Sequence, residues 1–141
     1  VFDGRDVFGP VGALLAKGVE PLELGAEISG YVRLPIYEPE IVGSRVEARV
    51  IHIDGFGNLV TNITYEILER IGARYGCHFA VDIHGREYRL PYVRHFSALP
   101  KGGLLLLVAG GGYLELAVNQ GNAQERLGAV RGEKVSLRLL R

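Results

Sequence analysis

The residues best suited to chemistry sit in one stretch, Ile53-Asp54-Gly55-Phe56-Gly57-Asn58-Leu59-Val60-Thr61-Asn62-Ile63, where a carboxylate, an aromatic ring and two carboxamides surround two glycines. That is the composition of a ligand site. A plainer reading stands beside it: a glycine-rich connection whose Asp and Asn side chains bond to their own backbone. On either reading Gly55 and Gly57 allow a sharp bend with close backbone approach. A second candidate set is His78, Asp82 and His84, which share the polar face of one alternating segment. They raise the question of a metal, but the coordination set is incomplete, and a solvated strand face is the default. A third is Gly110-Gly111-Gly112 after an apolar run. A dinucleotide fingerprint needs a further glycine where Glu115 stands and a helix after it, whereas the following residues alternate. Asp3 and Asp6 suit a helix N-terminus, where carboxylates cap orphan amides and meet the positive dipole end.

The elements that must position these residues are mainly strands. Residues 45–51 alternate and then run apolar, which predicts a strand delivering Asp54 to its end. Upstream, Val7, Phe8, Val11, Leu14 and Leu15 have the spacing of an amphipathic helix ending near Gly18. Pro21, Pro35 and Pro39, with Gly25 and Gly30 between them, make residues 19–42 a linker with at most short extended pieces. Ile67, Leu68 and Ile71 suit a short helix. Cys77, Phe79, Val81 and Ile83 alternate with polar or small neighbours, and His84-Gly85 reads as a hairpin turn before residues 87–90. Residues 104–109 read as a buried strand, 113–119 as a second strand after the glycine loop, 120–128 as a short capped helix or turn, and 134–139 as a closing strand. Short strands separated by glycine turns argue for a small closed or nearly closed antiparallel β-barrel.

Composition sets the outer bounds. With 141 residues and 48% hydrophobic content, the chain can bury one real core. Sixteen basic residues balance sixteen acidic ones, so no basic field exists to attract nucleic acid. The longest apolar run is too short to span a bilayer. A single cysteine, Cys77, and no signal-peptide pattern point to a reducing, cytoplasmic setting. Val1 is not an initiator residue, and the expectation is a chain that starts partway through a larger protein.

Three segments in this order resemble the family of S-adenosylmethionine (SAM) hydroxide adenosyltransferases, the adenosine-forming SAM hydrolases, with the related fluorinases and chlorinases. They are Phe2-Asp3-Gly4-Arg5-Asp6-Val7-Phe8-Gly9-Pro10, Ile53-Asp54-Gly55-Phe56-Gly57-Asn58 with Thr61-Asn62-Ile63, and Gly112-Tyr113-Leu114-Glu115-Leu116-Ala117-Val118-Asn119-Gln120-Gly121-Asn122-Ala123. The resemblance covers essentially this whole chain and the second half of a typical member. It implies an N-terminal α/β domain, a linker and a C-terminal β-barrel, assembled as a homotrimer with SAM between one subunit's N-terminal domain and a neighbour's barrel. Residues 1–18 would then be the last helix of the missing N-terminal domain, 19–42 the linker and 43–141 the barrel. It also implies that Asp54 holds the methionine ammonium, that Phe56 and Phe96 flank adenine, that Asn58 reads the polar edge of the base, and that the Gln120 backbone contacts its amino group. These roles make physical sense: a carboxylate suits an ammonium, an aromatic face a purine, and a carboxamide both donates and accepts.

Two departures bear on chemistry. Asp3 stands where family hydrolases usually carry the His of a water-activating set, which changes the local charge. Gly110 falls where many relatives place a Ser that supports methionine. The implied reaction is displacement at ribose C5′ by water or hydroxide, giving adenosine and methionine, with no metal or separate cofactor. A SAM-dependent halogenase and a non-catalytic SAM- or adenosine-binding trimerisation module are the alternatives.

Overall fold

The computed structural model describes residues 2–32 and 37–140. The chain divides into two units, residues 1–35 and 36–141. In the first, a π-helical turn (Gly4–Phe8) runs into α1 (Gly9–Ala16), with Pro10 in the first turn of α1, where a missing N–H costs nothing. Gly18 follows the helix with φ +86°. Asp6 rather than Asp3 closes the N-terminus: Asp6 Oδ2 accepts from the Phe2 amide at 3.1 Å, whereas Asp3 makes no side-chain cap. None of the helical residues from Gly4 to Ala16 is buried, although the helix carries Val7, Phe8, Leu14 and Leu15. Within the stretch read as a linker, Pro21–Leu24 forms a single helical turn, α2. Pro35 lies outside the described residues.

The second unit is the barrel. Its strands are β1 (Glu40–Val42), β2 (Arg45–Ile53), β3 (Leu59–Thr64), β4 (His78–Ile83), β5 (Arg86–Pro91), β6 (Leu104–Val108), β7 (Tyr113–Val118) and β8 (Lys134–Leu140). They run in the order β5-β4-β8-β2-β3-β7-β6, every pairing antiparallel, with β1 added at the start of β2. A bridge from Tyr92 to Leu106 joins the two ends, so the barrel is nearly closed. The predicted hairpin at His84-Gly85 has both residues at positive φ, +55° and +70°, the backbone that a tight two-residue turn between twisted strands demands.

Inward residues of these strands, among them Val46, Val50, Leu59, Phe79, Leu106, Leu114, Leu116 and Leu137, form the main core with Leu68 from helix α3 (Tyr65–Arg70). Each such aliphatic side chain contributes about 1.5–3 kcal/mol on full burial. Strand β6 is apolar on both faces for a local reason. Leu106 faces the core, while Leu105 and Leu107 point outward and are buried against Ala117, Val93 and Leu99. The connection from β5 to β6 therefore lies over the outer face of β6 and β7.

Candidate functional site

The hairpin between β2 and β3 is built by Asp54. Its Oδ1 accepts from the amides of Phe56 and Asn58, both at 2.9 Å, and its Oδ2 accepts from Asn58 Nδ2 at 2.9 Å. An ionised carboxylate only accepts, so the Asn58 amide nitrogen must face it, which leaves Asn58 Oδ1 without a partner among the described residues. Burial alone pushes the Asp54 carboxyl up, but hydrogen bonds from Asn58, Phe56 and Gly57 outweigh it and hold the group below the usual carboxylate value. Gly57 is required twice over. Its φ is +82°, and a Cβ there would meet Asn122 Oδ1 at 2.1 Å.

Asn122 is the N-cap of helix α4 (Ala123–Leu127), accepting from the Glu125 amide at 2.9 Å. The Gly57 carbonyl accepts from the Gln124 amide at 2.9 Å, so the Asp54 loop is fastened to the start of α4. Between β7 and α4 the chain turns at Gln120, whose φ is +51°. Asn119 ties this turn to the β5–β6 connection: its Nδ2 donates to the Leu99 carbonyl at 2.7 Å, and its amide donates to the Gly103 carbonyl at 2.9 Å. Phe96 opens a 3-10 turn (Phe96–Ala98) in that connection.

These three loops surround a cleft of about 580 Å³. Asp54, Phe56 and Asn58 line it from the β2–β3 hairpin, Phe96 from the β5–β6 connection, and Gln120 and Gly121 from the turn before α4. Ala109, Glu115 and Val118 form its floor. All five barrel residues singled out in the sequence therefore meet at one place. The plainer reading of the Asp54 stretch holds, since Asp54 bonds its own loop, and the same carboxylate faces the cleft. Phe56 is 80% exposed and Phe96 38% exposed, so two aromatic rings border the cleft with much of their faces in water. Asp3 belongs to the other unit, where it is exposed.

Glu115 is the charged lining residue that sequence reasoning missed. Burial, and then the charge of Asp54, push its carboxyl above the ordinary value, and it makes no hydrogen bond or ion pair among the described residues. Thr61 and Asn62, which looked like part of the same constellation, serve the framework. Thr61 Oγ1 donates to the Leu114 carbonyl at 2.7 Å, and Asn62 joins the Arg49 amide to the Tyr37 carbonyl. No group of three or more His, Cys, Asp or Glu side chains comes together among the described residues, and His84 instead lies 3.3 Å from the Gly128 carbonyl. No described helix is long and apolar enough to cross a membrane.

Residues 48–136 match the model of the SAM hydroxide adenosyltransferase C-terminal domain. The chain belongs to this family. Three curated relatives carry the name (R)-S-adenosyl-L-methionine hydrolase. The protein from Thermus thermophilus is 36% identical over 138 residues, covering 96% of this chain and 48% of its own length. Those from Salinispora arenicola and Salinispora tropica are each 34% identical, covering 95% of this chain and 49% of their own lengths. The chain thus spans about half the length of the curated relatives it matches. Among solved structures, an uncharacterised conserved protein from Thermotoga maritima aligns at TM-score 0.78 with 28% identity, covering 98% of this chain and 52% of the other. A conserved hypothetical protein from Thermus thermophilus aligns at TM-score 0.63 with 37% identity and the same two coverages.

Proposed function

We propose that this chain supplies the barrel half of the active site of an adenosine-forming SAM hydrolase. The observation that carries the reading is the convergence of Asp54, Phe56, Asn58, Phe96 and Gln120 on one cleft from three separate loops. Asp54 takes the methionine ammonium, an assignment favoured by its ionised state. Phe56 and Phe96 take the two faces of adenine, and stacking would remove the exposed ring area from water. Asn58 Oδ1, left over from the bond to Asp54, accepts from the adenine amino group, and the Gln120 backbone adds a contact there.

The reaction is an in-line displacement at ribose C5′. The water oxygen bonds to carbon, the carbon–sulfur electron pair returns to sulfur, and methionine leaves as a neutral thioether, so the leaving group needs no general acid. The water proton passes to a base. Asp3 occupies the family's histidine position and is the candidate from this chain, with its partners in an N-terminal domain. A domain of that kind is supported by the greater length of the relatives and by the uncovered apolar side chains of residues 7–15. On this reading residues 1–18 end that domain, and the residues after them link it to the barrel, whose first strand is β1 (Glu40–Val42). Holding water in line with the bond can lower the barrier by roughly 7–11 kcal/mol. No metal or cofactor enters. The relatives' name favours the (R) epimer at sulfur as substrate. A homotrimer and a cytoplasmic location complete the proposal; the free Cys77 and the 80% exposure of Phe56 support them.

The test is incubation of the full-length protein with SAM in oxygen-18 water and mass analysis of the nucleoside. Labelled adenosine is expected. SAM binding without adenosine would overturn the hydrolase reading, and a 5′-halogenated nucleoside appearing only with added halide would replace it with a halogenase. Asp3 in place of histidine favours a second reading, a SAM-binding module without turnover, which that same result would leave standing.

A further inference from the structure

The polar groups lining the cleft are two carboxylates, Asp54 and Glu115, and two carboxamides, Asn58 and Gln120; no Lys, Arg or His lines it among the described residues. Asp54 is neutralised in part by three donors from its own loop. Glu115 has none. It lies in the middle of β7, paired with Val60 on one side and Leu107 on the other, so neither cross-strand neighbour offers a proton or a positive charge. It shares the outer face of the sheet with Leu107, and the surrounding lining includes Ala109 and Val118. A half-buried carboxylate in that setting loses hydration without receiving a partner in return. What it lacks is a cation, and an apolar one, because the walls beside it are aliphatic.

Resting on the SAM reading above, we propose that Glu115 is a specificity-determining residue for positive charge at sulfur: its unpaired carboxylate on the cleft floor selects a sulfonium over the uncharged thioether. SAM carries two cationic centres, the ammonium and the sulfonium, and the cleft carries two carboxylates. With Asp54 on the ammonium, Glu115 is left for the sulfonium. The sulfonium has no N–H or O–H to donate, so a purely electrostatic partner on an aliphatic floor suits it. The arrangement also favours turnover. Once C5′ has left sulfur as a neutral thioether, the attraction to Glu115 is gone, and adenosine is released from a site that no longer contains the charge it was built for.

The experiment is calorimetric titration of the full-length wild-type protein, Glu115→Gln and Glu115→Asp with four ligands. These are SAM, S-adenosylhomocysteine, the analogue with a protonated amine in place of the sulfonium, and adenosine. Wild type is expected to prefer the two cationic ligands over S-adenosylhomocysteine by roughly 10- to 100-fold, as close charge pairs at interfaces do. Glu115→Gln should bring that ratio to within about threefold while leaving adenosine affinity unchanged, and Glu115→Asp should restore part of the preference. An unchanged ratio in Glu115→Gln overturns the proposal and leaves the SAM reading intact. Equal weakening of adenosine and SAM also overturns it, because Glu115 would then be holding a hydroxyl of the nucleoside. Failure of the wild type to bind any of the four overturns both readings.

Discussion

Asp54→Asn would change the base preference of a site that Asp54 does not itself touch through the base. Asp54 Oδ1 receives two backbone amides, which the carbonyl oxygen of an asparagine can still receive. Asp54 Oδ2 lies 2.9 Å from Asn58 Nδ2, and there the substitution sets an amide nitrogen against an amide nitrogen. Asn58 relieves this by turning its carboxamide half a revolution, which gives its oxygen to the new amide and its NH2 to the cleft. An acceptor facing the ligand becomes a donor. The adenine amino group loses its partner, while a 6-oxo purine gains one. Losing one hydrogen bond and gaining another moves the balance by about 1–3 kcal/mol, or roughly 5- to 150-fold in the ratio of affinities. Adenosine and inosine isolate the effect, because neither carries the methionine ammonium proposed to meet Asp54. Calorimetry on the full-length protein is expected to show wild type preferring adenosine and Asp54→Asn losing or reversing that preference. Wild type and Asp54→Asn binding adenosine and inosine in the same ratio, within about twofold, would refute the chain of reasoning from Asp54 through Asn58 to the base.

Other consequences concern stability. Gly57→Ala combines a positive-φ penalty with displacement of the Asn122 cap and should cost roughly 2–4 kcal/mol in urea unfolding. Asn122→Ala alone should cost about 1 kcal/mol, and the double variant should cost less than the sum, since the alanine methyl of the first fills the space vacated by the second. Additive values would mean that the two positions do not meet. The Asp54 carboxyl is held below its ordinary value of 3.8, so its contribution is complete above that pH and is lost as pH falls through the lower folded value. Asp54→Asn should therefore flatten the acid limb of stability against pH. Glu115 has the opposite sign. Its folded value lies above 4.5, so ionisation costs stability as pH rises from 4.5 through the folded value, and Glu115→Gln should be more stable than wild type at pH 7 but equal to it near pH 4. Equal stability of the two at all pH values would mean that Glu115 is fully hydrated. Asn119→Ala should leave the barrel folded yet speed amide exchange across residues 95–102, because the loop bearing Phe96 loses its tie at Leu99.

The residues that could be read from sequence were those whose partners are close in the chain. Asp54 and Asn58 are four apart and find each other within one hairpin, and Asn122 caps an amide three residues on. Alternation in residues 77–83 and 134–139 marked β4 and β8, because one face of each is core. Thr61 and Asn62 misled for the converse reason. Asn62 finds its partners 13 and 25 residues away, and Thr61, besides accepting from the nearby Ile63 amide, donates to a carbonyl 53 residues away, so little in the local sequence distinguished framework groups from ligand-binding ones. Glu115 was hidden by the same alternation that revealed its strand, since a Glu between Leu114 and Leu116 reads as a residue facing water. A signal against that reading was nevertheless present in the neighbouring strand. Residues 104–108 are leucine and valine on both faces, and a strand whose outer face meets water has no use for Leu105 and Leu107. Something must cover that face, and cross-strand pairing places Glu115 opposite Leu107 on it. A charge in a patch that must be covered calls for a partner, and since none of the described residues provides one, the place is left for the sulfonium proposed above.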